Sequence, residues 1–191
     1  QAAGPTKGSP NGHIASRESR HHAAKRESKD QVSKTEMESV AILGQASNAS
    51  WSDPKVPRDI GSMLPAGEFK LTKGLVQIDF FSGANVIIQA PATFELVSAN
   101  CIDCSLGRIR AHVPSQAKGF TVKTPKYTAV DLGTEFTVDV MRTGESLFQV
   151  LVGEVQLWNG LVHGKAPAKL LTTGEGVRTT PNGELIKIDA P

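Results

Sequence analysis

Short apolar alternations broken by glycine run along the chain from about residue 38 onward. Val76, Ile78 and Phe80, for example, alternate with Gln77 and Asp79. A period of two sends successive side chains to opposite faces of a strand, so each such segment is predicted to be a strand with one buried face. The other segments with this period are 69–72, 94–96, 109–113, 120–122, 136–140, 148–152, 155–157 and 186–188.

Glycines separate these segments at intervals of roughly 6 to 14 residues, the spacing of turns in an all-β protein. Ser82-Gly83, Thr143-Gly144 and Asn182-Gly183 are predicted hairpin turns. After residue 50, no window of about ten residues or more has a helical period. The sequence therefore predicts an all-β, antiparallel, jelly-roll-like sandwich, with elongation toward a β-solenoid left open, and excludes nucleotide-binding folds that need strand-to-helix loops.

The first 37 residues have a different composition. They hold seven of the 21 Lys and Arg but only four of the 19 Asp and Glu, and all ten aromatic residues lie at or after Trp51. Such a segment cannot bury enough apolar surface to offset the entropy of ordering it. We predict a disordered, basic tail or membrane-proximal linker over 1–37, with solvated His13, His21 and His22, and a β domain over 38–191. Acidic residues interrupt the basic clusters, so nucleic acid is not an expected partner.

No stretch approaches the roughly 18 consecutive apolar residues of a membrane span, and no signal peptide is recognisable. The chain begins with Gln1 instead of Met. We therefore expect a piece of a longer protein whose membrane anchor lies upstream.

Catalytic and metal-binding patterns are weak in the predicted β domain. Its two histidines, His112 and His163, are isolated, and there is no G-x-S-x-G sequence. Paired carboxylates such as Asp131 and Glu135 leave a glycosidase open, but acidic residues commonly keep the polar face of a strand soluble. Glu95, Asp79 and Glu154 are further candidates of this kind. We expect no enzyme activity, metal or cofactor.

Two surface features suggest binding. Arg108, Arg110 and His112 fall on one face of a predicted strand and would form a basic stripe for a carboxylate, an anionic polysaccharide or an acidic partner. The alternative is an ordinary solvated face. Trp51 and Trp158 would stack on sugars if exposed, although burial is the commoner fate of tryptophan.

Cys101 and Cys104 are too few for a disulfide scaffold or a structural zinc site. The pair closes into a disulfide if the chain turns there, whereas on a continuing strand the two side chains point to opposite faces. The sequence leaves both possibilities open.

The most distinctive stretch is Thr124–Val138, TPKYTAVDLGTEFTV. Pro125 starts or ends a strand, and Gly133 permits a positive φ in mid-strand. Asp131 and Thr134 can hydrogen-bond nearby backbone groups and hold the resulting kink.

This stretch, together with the segments at 152–155 and 171–177, resembles the FecR domain, the extracytoplasmic β domain of the iron-dicitrate sensor and its relatives. Segments at 80–84, 91–96 and 110–114 are similar to the variant carried by large surface proteins of planctomycete-like bacteria. The residues that carry the resemblance are Thr124, Pro125, Asp131, Gly133, Thr134, Phe136, Gly153, Val155 and Gly174.

The resemblance implies a non-enzymatic sensor or interaction domain of a transmembrane signalling regulator of the anti-sigma type. It implies a periplasmic location, a tether to the inner membrane through an upstream helix, and a partner in the envelope such as the signalling domain of a receptor or transporter. A sigma factor would bind only a cytoplasmic segment that this chain lacks. The motif implies structural roles for its residues. A cell-surface carbohydrate-binding module is the alternative, since similar domains often precede lectin-like sandwiches.

Overall fold

The structure, a computed structural model, describes residues 38–160 and 165–189. These ranges contain strands and one turn of 3₁₀ helix, Ser115–Ala117, so the all-β prediction is confirmed. No helix in these ranges is long and apolar enough to cross a membrane. The predicted tail and His163 lie outside the described residues, and their roles stay predictions.

Thirteen strands occupy the described ranges. In chain order they are β1 Ser39–Trp51, β2 Met63–Pro65, β3 Gly67–Phe80, β4 Asn85–Ser98, β5 Cys101–His112, β6 Thr121–Lys123, β7 Tyr127–Asp131, β8 Glu135–Val140, β9 Ser146–Val152, β10 Glu154–Asn159, β11 Lys169–Thr172, β12 Glu175–Thr179 and β13 Leu185–Asp189. The predicted turns at Ser82-Gly83, Thr143-Gly144 and Asn182-Gly183 connect β3 to β4, β8 to β9 and β12 to β13.

All thirteen strands belong to one sheet, which divides at β5. The first part of β5 pairs with β6, in the only parallel pair among the described strands, and its second part pairs with β8. One arm then runs β8, β9, β12, β13 and the other runs β6, β7, β10, β11. We call the first arm, with the halves of β3, β4 and β5 that continue it, layer A. The second arm and the remaining halves form layer B.

The two layers share one hydrophobic core. In β8, Phe136, Val138 and Val140 are buried while the residues between them are half-buried, as the period of two predicts. Phe80 of layer A meets Phe120, just before β6, with ring centroids 4.8 Å apart. The long strands bend, and the apolar side chains of both halves of each strand therefore point into this core.

The chain crosses between the layers within its long strands, along the connection from β5 to β6, and at three later connections. β3, β4 and β5 bend in mid-strand, where the pairing of β4 is irregular on both sides around Pro91. The later crossings connect β7 to β8, β9 to β10 and β11 to β12, and each contains a glycine with positive φ. We call these three crossings, at Gly133, Gly153 and Gly174, the crossover rim.

Candidate functional site

Asp131 and the residues after it form the first crossing of the crossover rim. Asp131 is fully buried, and its carboxylate accepts hydrogen bonds from the Gly133 N–H, at 2.6 Å, and from the Thr134 hydroxyl. Gly133 has φ +100°. A buried carboxylate that accepts a hydrogen bond from a backbone N–H stabilises a turn, and this turn interrupts the regular strand. This is the kink that the sequence predicted.

The neighbouring crossings pack on this corner. The Gly153 N–H donates to the Thr173 hydroxyl at 2.9 Å, and the Gly174 N–H donates to the Val150 carbonyl at 2.9 Å. A Cβ on Gly153 would lie 2.6 Å from Thr134 Cγ2, closer than two carbon atoms can approach. The three glycines therefore allow three antiparallel crossings to lie side by side.

The other motif residues support the same architecture. Thr124 and Pro125 make the tight turn from β6 to β7, in which the Thr124 hydroxyl donates to the Tyr127 carbonyl at 2.8 Å. Phe136 and Val155 are each 1% exposed and belong to the core. These motif positions therefore lie at turns of the backbone and in the core.

Burial raises the pKa of Asp131 to about 6, and the N–H groups of Gly133 and Thr134 and the charges of Lys118 and His112 offset part of that rise. The carboxylate lies in the core, while Glu135 lies on the outer face of layer A and pairs with Arg110. The structure therefore does not bring Asp131 and Glu135 together as a catalytic pair. Among the described residues, no three His, Cys, Asp or Glu side chains form a cluster that could hold a metal ion.

The two cysteines lie on the continuous strand β5 and are free thiols. Cys104 is buried, its thiol contacts the Leu106 carbonyl at 3.4 Å, and burial raises its pKa to about 12. Burial also raises the pKa of the half-buried Cys101. Both thiols are therefore poor nucleophiles near neutral pH.

The predicted basic stripe lies on the outer face of layer A, but its arginines are paired. Arg108 donates through Nε and Nη2 to Asp139 Oδ2, at 3.0 and 2.6 Å. Arg110 reaches Glu135 Oε1 through Nε, at 2.7 Å, and through Nη2, at 2.6 Å. His112 is exposed beside them. The stripe is thus a row of ion pairs between β5 and β8, not a free cationic surface.

Amide side chains extend this face across β3 and β4. Asp79 Oδ1 accepts from Gln77 Nε2 at 2.8 Å and from Asn85 Nδ2 at 2.7 Å. We call the whole surface the polar face. Its members are Gln77, Asp79, Asn85, Ile87, Gln89, Arg108, Arg110, His112, Glu135, Thr137, Asp139, Leu147 and Gln149.

Three hollows with charged side chains in their walls open on the polar face. One of about 230 Å³ lies beside Arg108 and Pro91, and one of about 320 Å³ lies across Arg108, Asp139 and Leu147. A third, of about 200 Å³, is lined by Arg110 and Ile87 together with His112, Gln77, Asn85 and Glu135. Planar polar groups fixed by their partners around shallow hollows form a surface suited to binding.

The tryptophans do not join this surface. Trp51 is 7% exposed and packs edge-on against Phe69 and Phe94, with centroids 5.9 and 6.3 Å away. Trp51 therefore has the commoner fate of tryptophan, burial, and its ring is not available to stack on a sugar. Trp158 is half-buried on the outer face of layer B, on the opposite side of the domain from Arg108.

Sequence reasoning missed Glu135 and Asp139 as partners of the arginines. Their alternation with Phe136 and Val138 placed them on an outer face, but no local signal showed that β8 lies beside β5. Gln77, Asn85 and Gln149 were missed for the same reason.

Residues 72–156 match the family model described as FecR protein, a range that includes Gly133 and Gly153 of the crossover rim. This match confirms the resemblance to the FecR domain that the motif residues indicated. Two crystal structures of a "putative anti-sigma factor" from Parabacteroides distasonis, at 1.65 and 2.50 Å resolution, are similar in fold. They are 20% and 18% identical to this chain, have TM-scores of 0.51 and 0.52, and align with 64% and 65% of it.

The chain covers 59% and 60% of those two structures, so it spans about three-fifths of their length. At this identity the likeness establishes a shared fold. Among curated proteins, none is similar enough to this chain to count as a match.

Proposed function

We propose that this FecR domain is a non-enzymatic sensor and interaction domain of a transmembrane regulator of the anti-sigma type. It lies outside the cytoplasm, and an upstream helix ties it to the inner membrane. Its protein partner is an envelope protein, the signalling domain of a receptor or transporter, and the sigma factor binds a cytoplasmic segment of the longer protein.

The family match to residues 72–156 carries this proposal. The structure supports the non-enzymatic part, because the motif residues build the crossover rim and Asp131, the buried acid of that rim, is committed to Gly133 and Thr134. The likeness to a "putative anti-sigma factor" supports the regulatory part.

Location is tested with alkaline phosphatase, which is active only after export, fused after Pro191 of the full-length protein. The proposal expects an active fusion and an inactive one when the upstream helix is deleted. A fusion that is inactive although intact contradicts the proposed location.

The partner is tested by chemical crosslinking of the full-length protein in its host, followed by mass spectrometry. The matched control is the same protein with residues 38–189 deleted, which removes the folded domain but keeps the tether. The proposal expects an envelope receptor or transporter that is crosslinked by the wild type and lost in the control. Recovery of the same proteins from both contradicts it.

A further inference from the structure

Several hydrogen-bonding groups on the polar face have no partner among the described residues. Both arginines use Nε and Nη2, so Nη1 of each guanidinium makes no hydrogen bond within the described part of the chain. Asp139 and Glu135 each accept through a single oxygen, and their second oxygens are likewise unused among the described residues. Donors and acceptors therefore alternate across neighbouring strands, already fixed in place by their ion pairs.

The balance of charge on this face argues against an ionic ligand. Arg108 is neutralised by Asp139 and Arg110 by Glu135, while the Asp79 carboxylate is held by two amide groups. An anion bound at the unused Nη1 would lie beside the Asp139 or Glu135 carboxylate, and a cation bound at an unused carboxylate oxygen would lie beside an arginine, so each would meet a like charge. A neutral hydroxyl group meets neither repulsion, and it can donate to the unused carboxylate oxygen and accept from the unused N–H.

Each hollow also contains apolar surface. Pro91 and Leu106 line the first, Leu147 lines the hollow across Arg108 and Asp139, and Ile87 lines the one beside Arg110. A sugar ring has this dual character, with hydroxyl groups around its edge and C–H groups on its faces. Three such hollows follow one another across β3, β4, β5, β8 and β9, which suits a chain of rings more than a single small molecule.

We propose that the polar face binds a neutral glycan chain. Its biological meaning rests on the proposed function, in which the glycan would be the ligand that the domain senses, but the binding itself is a property of this chain. The site lies on β5 and β8, away from Trp51 and Trp158, so it differs from the tryptophan-based site that the sequence suggested.

Binding is tested by calorimetry on the folded 191-residue chain with neutral hexasaccharides of β-1,4-glucose, β-1,3-glucose and β-1,4-N-acetylglucosamine. An oligogalacturonate of equal length serves as the anionic probe. We expect at least one neutral probe to bind, with an affinity that changes less than about twofold between low and high salt, because no net charge is neutralised. We expect the oligogalacturonate to bind more weakly.

Arg108→Gln and Arg110→Gln each remove a guanidinium and leave a carboxylate without its partner, and each should weaken binding about tenfold or more. Lys70→Gln is the matched control, since Lys70 pairs with Glu68 at 2.8 Å on layer B and is exposed like the arginines. Thr137→Phe, at a half-buried position on the outer face of β8 where aromatic residues are favoured, should fill the hollow across Arg108 and abolish binding without lowering the melting temperature.

Binding of no neutral probe at millimolar concentration overturns the inference, as does preference for the oligogalacturonate. So does binding that survives Thr137→Phe or falls equally with Lys70→Gln. The crosslinking experiment separates the two proposals. An envelope partner that is still recovered when no neutral probe binds leaves the proposed function standing, whereas glycan binding without such a partner leaves only the glycan site.

Discussion

Gly133 and Gly153 both lie where the chain turns between the layers, but glycine is needed at the two positions for different physical reasons. Both have positive φ, +100° and +90°, which L side chains rarely adopt. A Cβ on Gly133 would meet nothing within 4 Å, whereas one on Gly153 would meet Thr134 Cγ2 at 2.6 Å and the Gly133 carbonyl at 2.9 Å. A side chain at position 133 would therefore cause backbone strain alone, whereas one at position 153 would cause both strain and a steric clash.

We expect Gly133→Val to lower the free energy of unfolding by roughly 1 to 3 kcal/mol through backbone strain. Gly153→Val should cost at least about 1 kcal/mol more, because the clash adds to the strain. Urea denaturation of both variants measures the difference. An unchanged midpoint for Gly133→Val would show that the corner needs no special backbone, and equal costs would show that the packing on Thr134 is loose.

Asp131 makes the stability of the domain depend on pH. Its pKa rises from 3.8 to about 6 on folding, mainly through burial, so the folded state binds the proton more tightly than the unfolded chain. The stabilisation by protonated Asp131 is complete below about pH 4 and is lost as the pH rises to about 6.

The expected loss at Asp131 is up to about 3 kcal/mol, at about 1.4 kcal/mol per pKa unit. Asp131→Asn, which cannot titrate, should lack this component. Denaturation of both proteins at several pH values from 4 to 7 gives the difference in unfolding free energy, and a constant difference contradicts the prediction.

At the scale of elements, the β6–β7 turn clamps the last hairpin. Lys126 Nζ donates to the carbonyls of Thr180 and Pro181 at 2.8 and 2.6 Å, and the Tyr127 hydroxyl donates to the Gly183 carbonyl at 2.6 Å. These bonds join layer B to the turn between β12 and β13. Apart from β13, β12 pairs only with β9 among the described strands, through three residue pairs, so the clamp should contribute much of the hairpin's local stability.

Lys126→Met removes two charge-assisted hydrogen bonds, and amide hydrogens of β12 and β13 should exchange about tenfold faster or more. Lys123→Met, on the exposed side of β6, is the control and should change little. Hydrogen exchange followed by mass spectrometry measures both. Equal protection of the hairpin in Lys126→Met and the wild type would show that pairing with β9 alone holds it.

Local patterns predicted the strands, the three hairpin turns and the kink at Gly133, because side-chain period and glycine chemistry act within a few residues. Pairings between distant elements were not predictable in this way. Arg110 and Glu135 are 25 residues apart, and the position of β8 beside β5 depends on the division of the sheet at β5. Trp51 shows the same limit, since its burial depends on Phe69 and Phe94 of two later strands.

For the molecule as a whole, the crossings tie the two layers into one core. β3, β4 and β5 each contribute to both layers, and the crossover rim connects the later strands in the same way. Phe148 in layer A and Trp51 at the layer B end of β1 belong to this core. Neither layer can unfold without pulling its own strands out of the other, so unfolding should be a single cooperative transition.

Phe148 is 1% exposed, and Phe148→Ala should destabilise the domain by about 3 to 5 kcal/mol through the cavity it leaves. In a Trp158→Phe background, Trp51 fluorescence reports layer B while far-ultraviolet circular dichroism reports the whole sheet. We expect both signals to shift to the same lower urea midpoint, because the substitution in layer A weakens strands that layer B shares. A Trp51 midpoint that stays at the wild-type value while the dichroism midpoint falls would show that the layers unfold separately and that the bent strands do not couple them.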